Sequence, residues 1–133
     1  MRGLAVLASI LVLGIGAAGA ATPAPTALTV TYWKDGSRLA EKTRWNLECD
    51  PATGTLARPA AACRRIKAAG WRLFAPVKEG SICTEIYGGP QVALVVGIVE
   101  GRRVWARVQR RNGCEIARWS RLSPWLLPPG GVT

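Results

Sequence analysis

The run Val92-Ala93-Leu94-Val95-Val96-Gly97-Ile98-Val99-Glu100-Gly101-Arg102-Arg103-Val104-Trp105-Ala106-Arg107-Val108-Gln109 decides the architecture. Two eight-residue arms flank Glu100-Gly101, and a two-residue loop with glycine second is the signature of a tight antiparallel hairpin. The first arm is apolar on both faces. Val92, Leu94, Val96 and Ile98 lie on one side, and Ala93, Val95 and Val99 on the other. A half-buried strand alternates with polar residues. This arm therefore predicts a sheet that is either covered on both faces within the domain or packed against a second subunit. With only one sizeable helix in the sequence to cover it, the second is expected: a homodimer through the sheet face opposite that helix.

Upstream of this hairpin, residues 28–33 alternate β-branched and aromatic side chains and read as a first strand. Asp35-Gly36 marks a turn. Residues 43–49 alternate again, with Trp45, Leu47 and Cys49 on one face, and 50–54 break that strand. A helix is predicted over 59–69. Pro59 suits its first position, where a missing N–H leaves no bond unmade, and Gly70 supplies the stop. Cys63, Ile66 and Ala69 fall on one face, so a bridge from Cys63 to Cys49 at the end of the second strand is geometrically plausible. Residues 114–122 place Ile116, Trp119 and Leu122 at near-helical spacing and read as a short helix. The tail over 125–129 is apolar but broken by Pro128-Pro129, which argues against a final strand there. The expected class is α+β: a small antiparallel sheet with one main and one short helix.

The first residues read as an export signal. Arg2 gives a minimal basic start, residues 4–18 are almost unbrokenly apolar, and Ala18-Gly19-Ala20 is a small-x-small cleavage pattern. The competing reading is an uncleaved anchor, but the apolar run is shorter than the ~20 residues that span a bilayer. The expected organisation is a signal peptide at 1–20, a disordered lead-in at 21–27, one domain at 28–127 and a tail at 128–133. The protein is thus read as secreted and extracellular, with a single compact core.

Cys49, Cys63, Cys83 and Cys114 all follow the leader. An even count in a small exported chain argues for two disulfides, and three pairings are open. Zinc is the alternative. No C-x-x-C pair occurs and the chain has no histidine, so no metal site or cofactor is expected. Lack of histidine also removes Ser-His-Asp and Cys-His catalysis, and no phosphate-binding glycine motif is present. The eight carboxylates could in principle supply a glycosidase pair, yet so small a basic domain has little room for a cleft, and an enzyme is the weakest reading. Lysine and arginine total 18, for a formal net charge of +10. That excess favours weak association with anionic surfaces. The basic residues are scattered, without a nucleic-acid motif, so no nucleic acid is expected as partner.

Ser81-Ile82-Cys83-Thr84-Glu85-Ile86-Tyr87-Gly88-Gly89-Pro90 carries the functional signal. It sets an extended peptide directly beside a cysteine, and a disulfide there would hold the next residues in one conformation. Together with the cysteine-bracketed helix, the stretch Gly97-Ile98-Val99-Glu100-Gly101-Arg102-Arg103-Val104 and the return Asn112-Gly113-Cys114, it resembles the Streptomyces subtilisin inhibitor-like family of serine protease inhibitors. The resemblance implies a sheet with two helices, disulfides Cys49–Cys63 and Cys83–Cys114, and dimerisation through the sheet. It makes Glu85–Ile86 the bond offered to the protease, with Cys83, Thr84 and Tyr87 as loop contacts and Asn112 as support from behind. The implied partner is a serine protease of the subtilisin-like, trypsin-like or Glu-specific kind. A carboxylate at position 85 favours a pocket that carries a cation. Gly88-Gly89 is expected to add backbone freedom on the trailing side. The alternative is an exported cationic binding protein of the same fold that does not inhibit.

Overall fold

The computed structural model describes residues 14, 16, 17, 19, 22–37, 39 and 41–130. The leader read at 1–20 lies outside them apart from four isolated positions, as does the end of the tail at 131–133. Among the described residues no helix is long and apolar enough to cross a membrane, and no group of His, Cys, Asp or Glu could hold a metal.

Five strands form one antiparallel sheet. They are β1 (Thr26–Trp33), β2 (Lys42–Cys49), the two-residue β3 (Thr53–Gly54), β4 (Val92–Val99) and β5 (Arg102–Gln109), in the order β3-β2-β1-β4-β5. The hairpin turn is as the sequence predicts. Glu100 and Gly101 both take positive φ, 49° and 79°, which matches the twist of the flanking strands and brings Val99 opposite Arg102. β1 starts at Thr26, inside the expected lead-in. Its first turn of chain is pinned to the hairpin, because Gly101 N–H donates to Pro25 O (2.9 Å) and Glu100 N–H to Thr26 Oγ1 (3.0 Å).

Helix α1 (Pro59–Ala69) runs between the predicted bounds, with the Gly70 N–H closing onto Ile66 O. A 3₁₀ turn (Gly70–Phe74) continues it, and α2 (Gly113–Leu122) follows β5. The buried edge of α1 is Ala62 and Ile66, with Cys63 beside them and Ala69 exposed. The predicted stripe is therefore displaced by one position, because the covered line of a helix follows the i, i+4 pair that meets the sheet. Cys49 and Cys63 are joined, at Cα–Cα 5.6 Å.

Helices and tail all pack on one face of the sheet. Val30, Leu47, Val95 and Val108 from the strands meet Ile66, Trp119 and Leu122 from the helices, all at 1% exposure or less. The tail adds Leu126 and Leu127 to this core, and its carbonyls accept from indoles: Trp45 Nε1 donates to Leu126 O (3.1 Å) and Trp119 Nε1 to Pro128 O (3.0 Å). A buried arginine completes the joint between layers. Arg118 donates to Ala75 O (2.9 Å), Phe74 O (3.2 Å) and Arg107 O (2.7 Å), with Glu115 at 3.8 Å. Burial pushes the Arg118 pKa down, a shift that Glu115 opposes and Arg121 adds to; its guanidinium fork grips three backbone carbonyls.

The opposite face of the sheet is open over the centre of β4 and β5, although Thr31 and Val92 on it are buried. Leu94 is half-buried, Val96 and Ile98 are 39% and 37% exposed, and Trp105 beside Val96 is 71% exposed. The apolar character of β4 on both sides thus divides: Ala93, Val95 and Val99 face the core, and in the other row Val92 is buried at 7% while Leu94, Val96 and Ile98 are left partly open. The tail sits on the helical side and does not cover them.

Candidate functional site

Between the 3₁₀ turn and β4, residues 75–91 form no helix or strand. A turn at Lys78–Ser81, where both Ser81 N–H and Oγ bond Lys78 O (3.1 and 2.6 Å), directs the chain outward. Ile82 is then 101% exposed, Cys83 half-buried, and Thr84 and Glu85 exposed; Ile86 and Tyr87 are 63% and 60% exposed. Gly88 and Gly89 return to the interior and are buried.

This exposed bow is tied at both ends to one short segment, the turn from β5 into α2. On the leading side, Cys83 is joined to Cys114 (Cα–Cα 5.3 Å), and Gly113 N–H donates to Thr84 O (2.9 Å). On the trailing side, Gly88 N–H donates to Arg110 O (2.7 Å), and the Arg110 guanidinium donates to Gly88 O and to Gln91 Oε1 (3.1 Å). Between these ties, the N–H and C=O groups of Glu85, Ile86 and Tyr87 have no backbone partner among the described residues.

The local sequence makes the approach possible. Any side chain at position 113 would overlap Thr84 Oγ1, and a Cβ at Gly88 would fall 2.9 Å from the Ile116 side chain. Gly88-Gly89 therefore does not loosen the trailing side as the sequence suggests. The absence of side chains lets the loop lie against α2 and Arg110, so these glycines are positions of close packing. Behind the clamp Tyr32 packs against Trp45 and Trp119, at ring distances of 6.1 and 6.2 Å. Burial raises the Tyr32 pKa, an effect that the nearby Arg110 charge partly offsets.

Asn112, expected as support for the loop from behind, sits at the N-terminus of α2. Its Oδ1 accepts from Glu115 N–H (3.0 Å), capping α2. It fixes the helix whose first residues hold the loop, and the direct ties come from its neighbours Arg110 and Gly113. The sequence alone marks neither Arg110, one of many scattered basic residues, nor Ile82 as part of this site. The second nonetheless has a readable signal, an isoleucine in a polar loop two residues before Thr84. The first has none, since an arginine's target lies elsewhere in the chain.

What the described residues at this loop offer is an exposed peptide tethered at both ends. The match of residues 22–112 to the subtilisin inhibitor-like family model agrees with that geometry, and the chain belongs to this family. Among solved structures it is similar to Streptomyces caespitosus sermetstatin, seen in complex with Bacillus licheniformis subtilisin. The likeness has 27% identity and a TM-score of 0.51, and covers 77% of this chain and 97% of that one. No curated protein sequence matches the chain.

Proposed function

We propose that this protein is a secreted inhibitor of serine endopeptidases that presents residues 84–87 as an uncleaved substrate, with Glu85–Ile86 as the reactive bond. The observation that carries the reading is the double tether. The peptide groups around Glu85 are unpaired, while the residues on either side are bonded to one rigid turn. Such a segment adds to a protease cleft as an extra strand. It has little conformational entropy left to lose, so binding energy is not spent on ordering it. Sermetstatin's complex with subtilisin supports a subtilisin-type partner. Glu85 itself, exposed and without an internal partner, favours an enzyme whose pocket carries a cation. Cys83, Thr84 and Tyr87 flank it as contacts, and Ile82 presents an additional apolar side chain on the leading side.

The test is an inhibition panel of trypsin-like, subtilisin-like and Glu-specific serine proteases. The expected result is inhibition of at least one class, strongest for the Glu-accepting enzyme. Inhibition of none, with salt-sensitive retention on an anionic polymer, would establish the non-inhibitory cationic binding protein instead.

The open sheet face supports a homodimer. Leu94, Val96, Ile98 and Trp105 form its apolar centre, and a second copy would remove them from water. By strand register, Lys42 and Arg44 on β2 and Arg103 and Arg107 on β5 share this face, with Glu48 as its acid. Two such faces repel through their rims. The dimer fraction at micromolar concentration, read by light scattering, is therefore expected to rise from low to high salt as the Debye length shrinks below ~10 Å. A monomeric mass across that whole range excludes the dimer.

A further inference from the structure

We propose that Arg110 is the positioning residue that retains the trailing half of the reactive loop, so that a bond cut at Glu85–Ile86 re-forms rather than being lost. The inference rests on the inhibitor reading above and assigns this chain's own means of sustaining it.

Cutting that bond transfers the Glu85 acyl carbon to the protease's serine hydroxyl and releases Ile86 as an amine, which takes up the hydroxyl proton. The amine can attack the ester again, restoring the peptide bond and returning the proton to the serine; if water attacks the ester instead, Glu85 is left as a carboxylic acid, the serine hydroxyl is regenerated and the cut protein is released. Whether the amine attacks first depends on how long it stays within reach, since effective concentration falls steeply once the end is free. The leading end is held covalently by Cys83–Cys114. The trailing end has no disulfide, and its next three residues include two glycines.

Arg110 supplies the missing hold. Its backbone carbonyl accepts from Gly88 N–H, its guanidinium donates to Gly88 O, and the same nitrogen donates to Gln91 Oε1. One residue thus grips both sides of Gly88, two positions beyond Ile86. The guanidinium is backed by the tail, since a Cβ on Gly130 would overlap its central carbon. It is half-buried, where a charge-assisted hydrogen bond is stronger than in water. Arg110 also sits three residues before Gly113, which holds Thr84 O. Both sides of the reactive bond are therefore referenced to one stretch of backbone.

The experiment compares wild type with Arg110→Met, Arg110→Lys and Arg110→Gln, and with Arg111→Gln as a control that removes the same charge from an exposed neighbouring position. Each is incubated with the protease that wild type inhibits best. Expected for Arg110→Met and Arg110→Gln is accumulation of Glu85–Ile86-cleaved protein about tenfold to a hundredfold faster, as the loss of a charge-assisted hydrogen bond implies. The rate of initial association should be little changed. Arg110→Lys should recover part of the loss and Arg111→Gln should match wild type. A uniform fall in thermal stability with an unchanged ratio of cleaved to intact protein would show a structural role only, and would overturn the proposal. A second measurement needs no variant. In wild type cut at Glu85–Ile86, amide exchange at Gly88 should remain slow; exchange at the free-chain rate would overturn it. If wild type inhibits none of the proteases, the inhibitor reading fails separately. Faster Gly88 exchange in intact Arg110→Met would then still establish the clamp, and unchanged exchange would remove it.

Discussion

Replacing Glu85 with leucine is expected to strengthen inhibition of a subtilisin-like protease with an apolar pocket by roughly two orders of magnitude, while Glu85→Lys moves inhibition toward trypsin-like enzymes. The sign follows from desolvation. A carboxylate that enters a closed apolar pocket must find a cation there or lose several kcal/mol, and about 1.4 kcal/mol is a factor of ten in affinity. In the free protein Glu85 is exposed and bonded to nothing, so neither substitution removes an internal interaction. The fold should therefore be unchanged by circular dichroism and melting temperature. Inhibition constants for the three proteins across trypsin-like, subtilisin-like and Glu-specific enzymes decide the matter. Equal inhibition of every class by all three would show that position 85 does not set specificity, and would move attention to Ile82 and Tyr87.

The two disulfides should separate when removed one at a time. Cys83→Ser with Cys114→Ser opens a link between residues 31 apart, worth about 3–4 kcal/mol on chain-entropy arithmetic, and frees the leading side of the loop. Cys49→Ser with Cys63→Ser opens a link 14 apart, worth about 3 kcal/mol, at a place remote from the loop. Similar losses of stability are thus expected, with opposite consequences for function. The first variant should become a substrate, cut at Glu85–Ile86 and losing inhibition within an assay in which the second still inhibits. Mass spectrometry of the digests, beside melting curves, reads both effects. Should inhibition fall in step with melting temperature in the two variants alike, the disulfide beside the loop is a staple and nothing more.

Much of the fold was legible because its signals are local. The Glu100-Gly101 hairpin, the Pro59 start and Gly70 stop of α1, and the alternation of β1 and β2 each depend on residues within one or two turns of chain. The exposed loop beside Cys83 was legible for the same reason. Pairing of the cysteines was not legible from residues alone, which allow three arrangements; the family resemblance implied the pair that the structure contains. Likewise the apolar residues on both sides of β4 announced an uncommon strand, but only the placement of the helices and tail shows which row is left open.

The four long strands, the two helices, their order, the cysteines available and the loop beside Cys83 were thus written in local sequence, whereas β3 and the 3₁₀ turn after α1 were not. Tertiary structure alone decided that Asn112 caps a helix, that Gly88 and Gly89 are packed tight, and that Arg110, Gly113 and Arg118 hold the loop and its root. The physical reason is that a strand or helix repeats every two or 3.6 residues and so writes itself as a period. A hydrogen bond from a guanidinium to a carbonyl 22 residues away, as from Arg110 to Gly88, has no period, and exists only once the sheet has brought the two segments together.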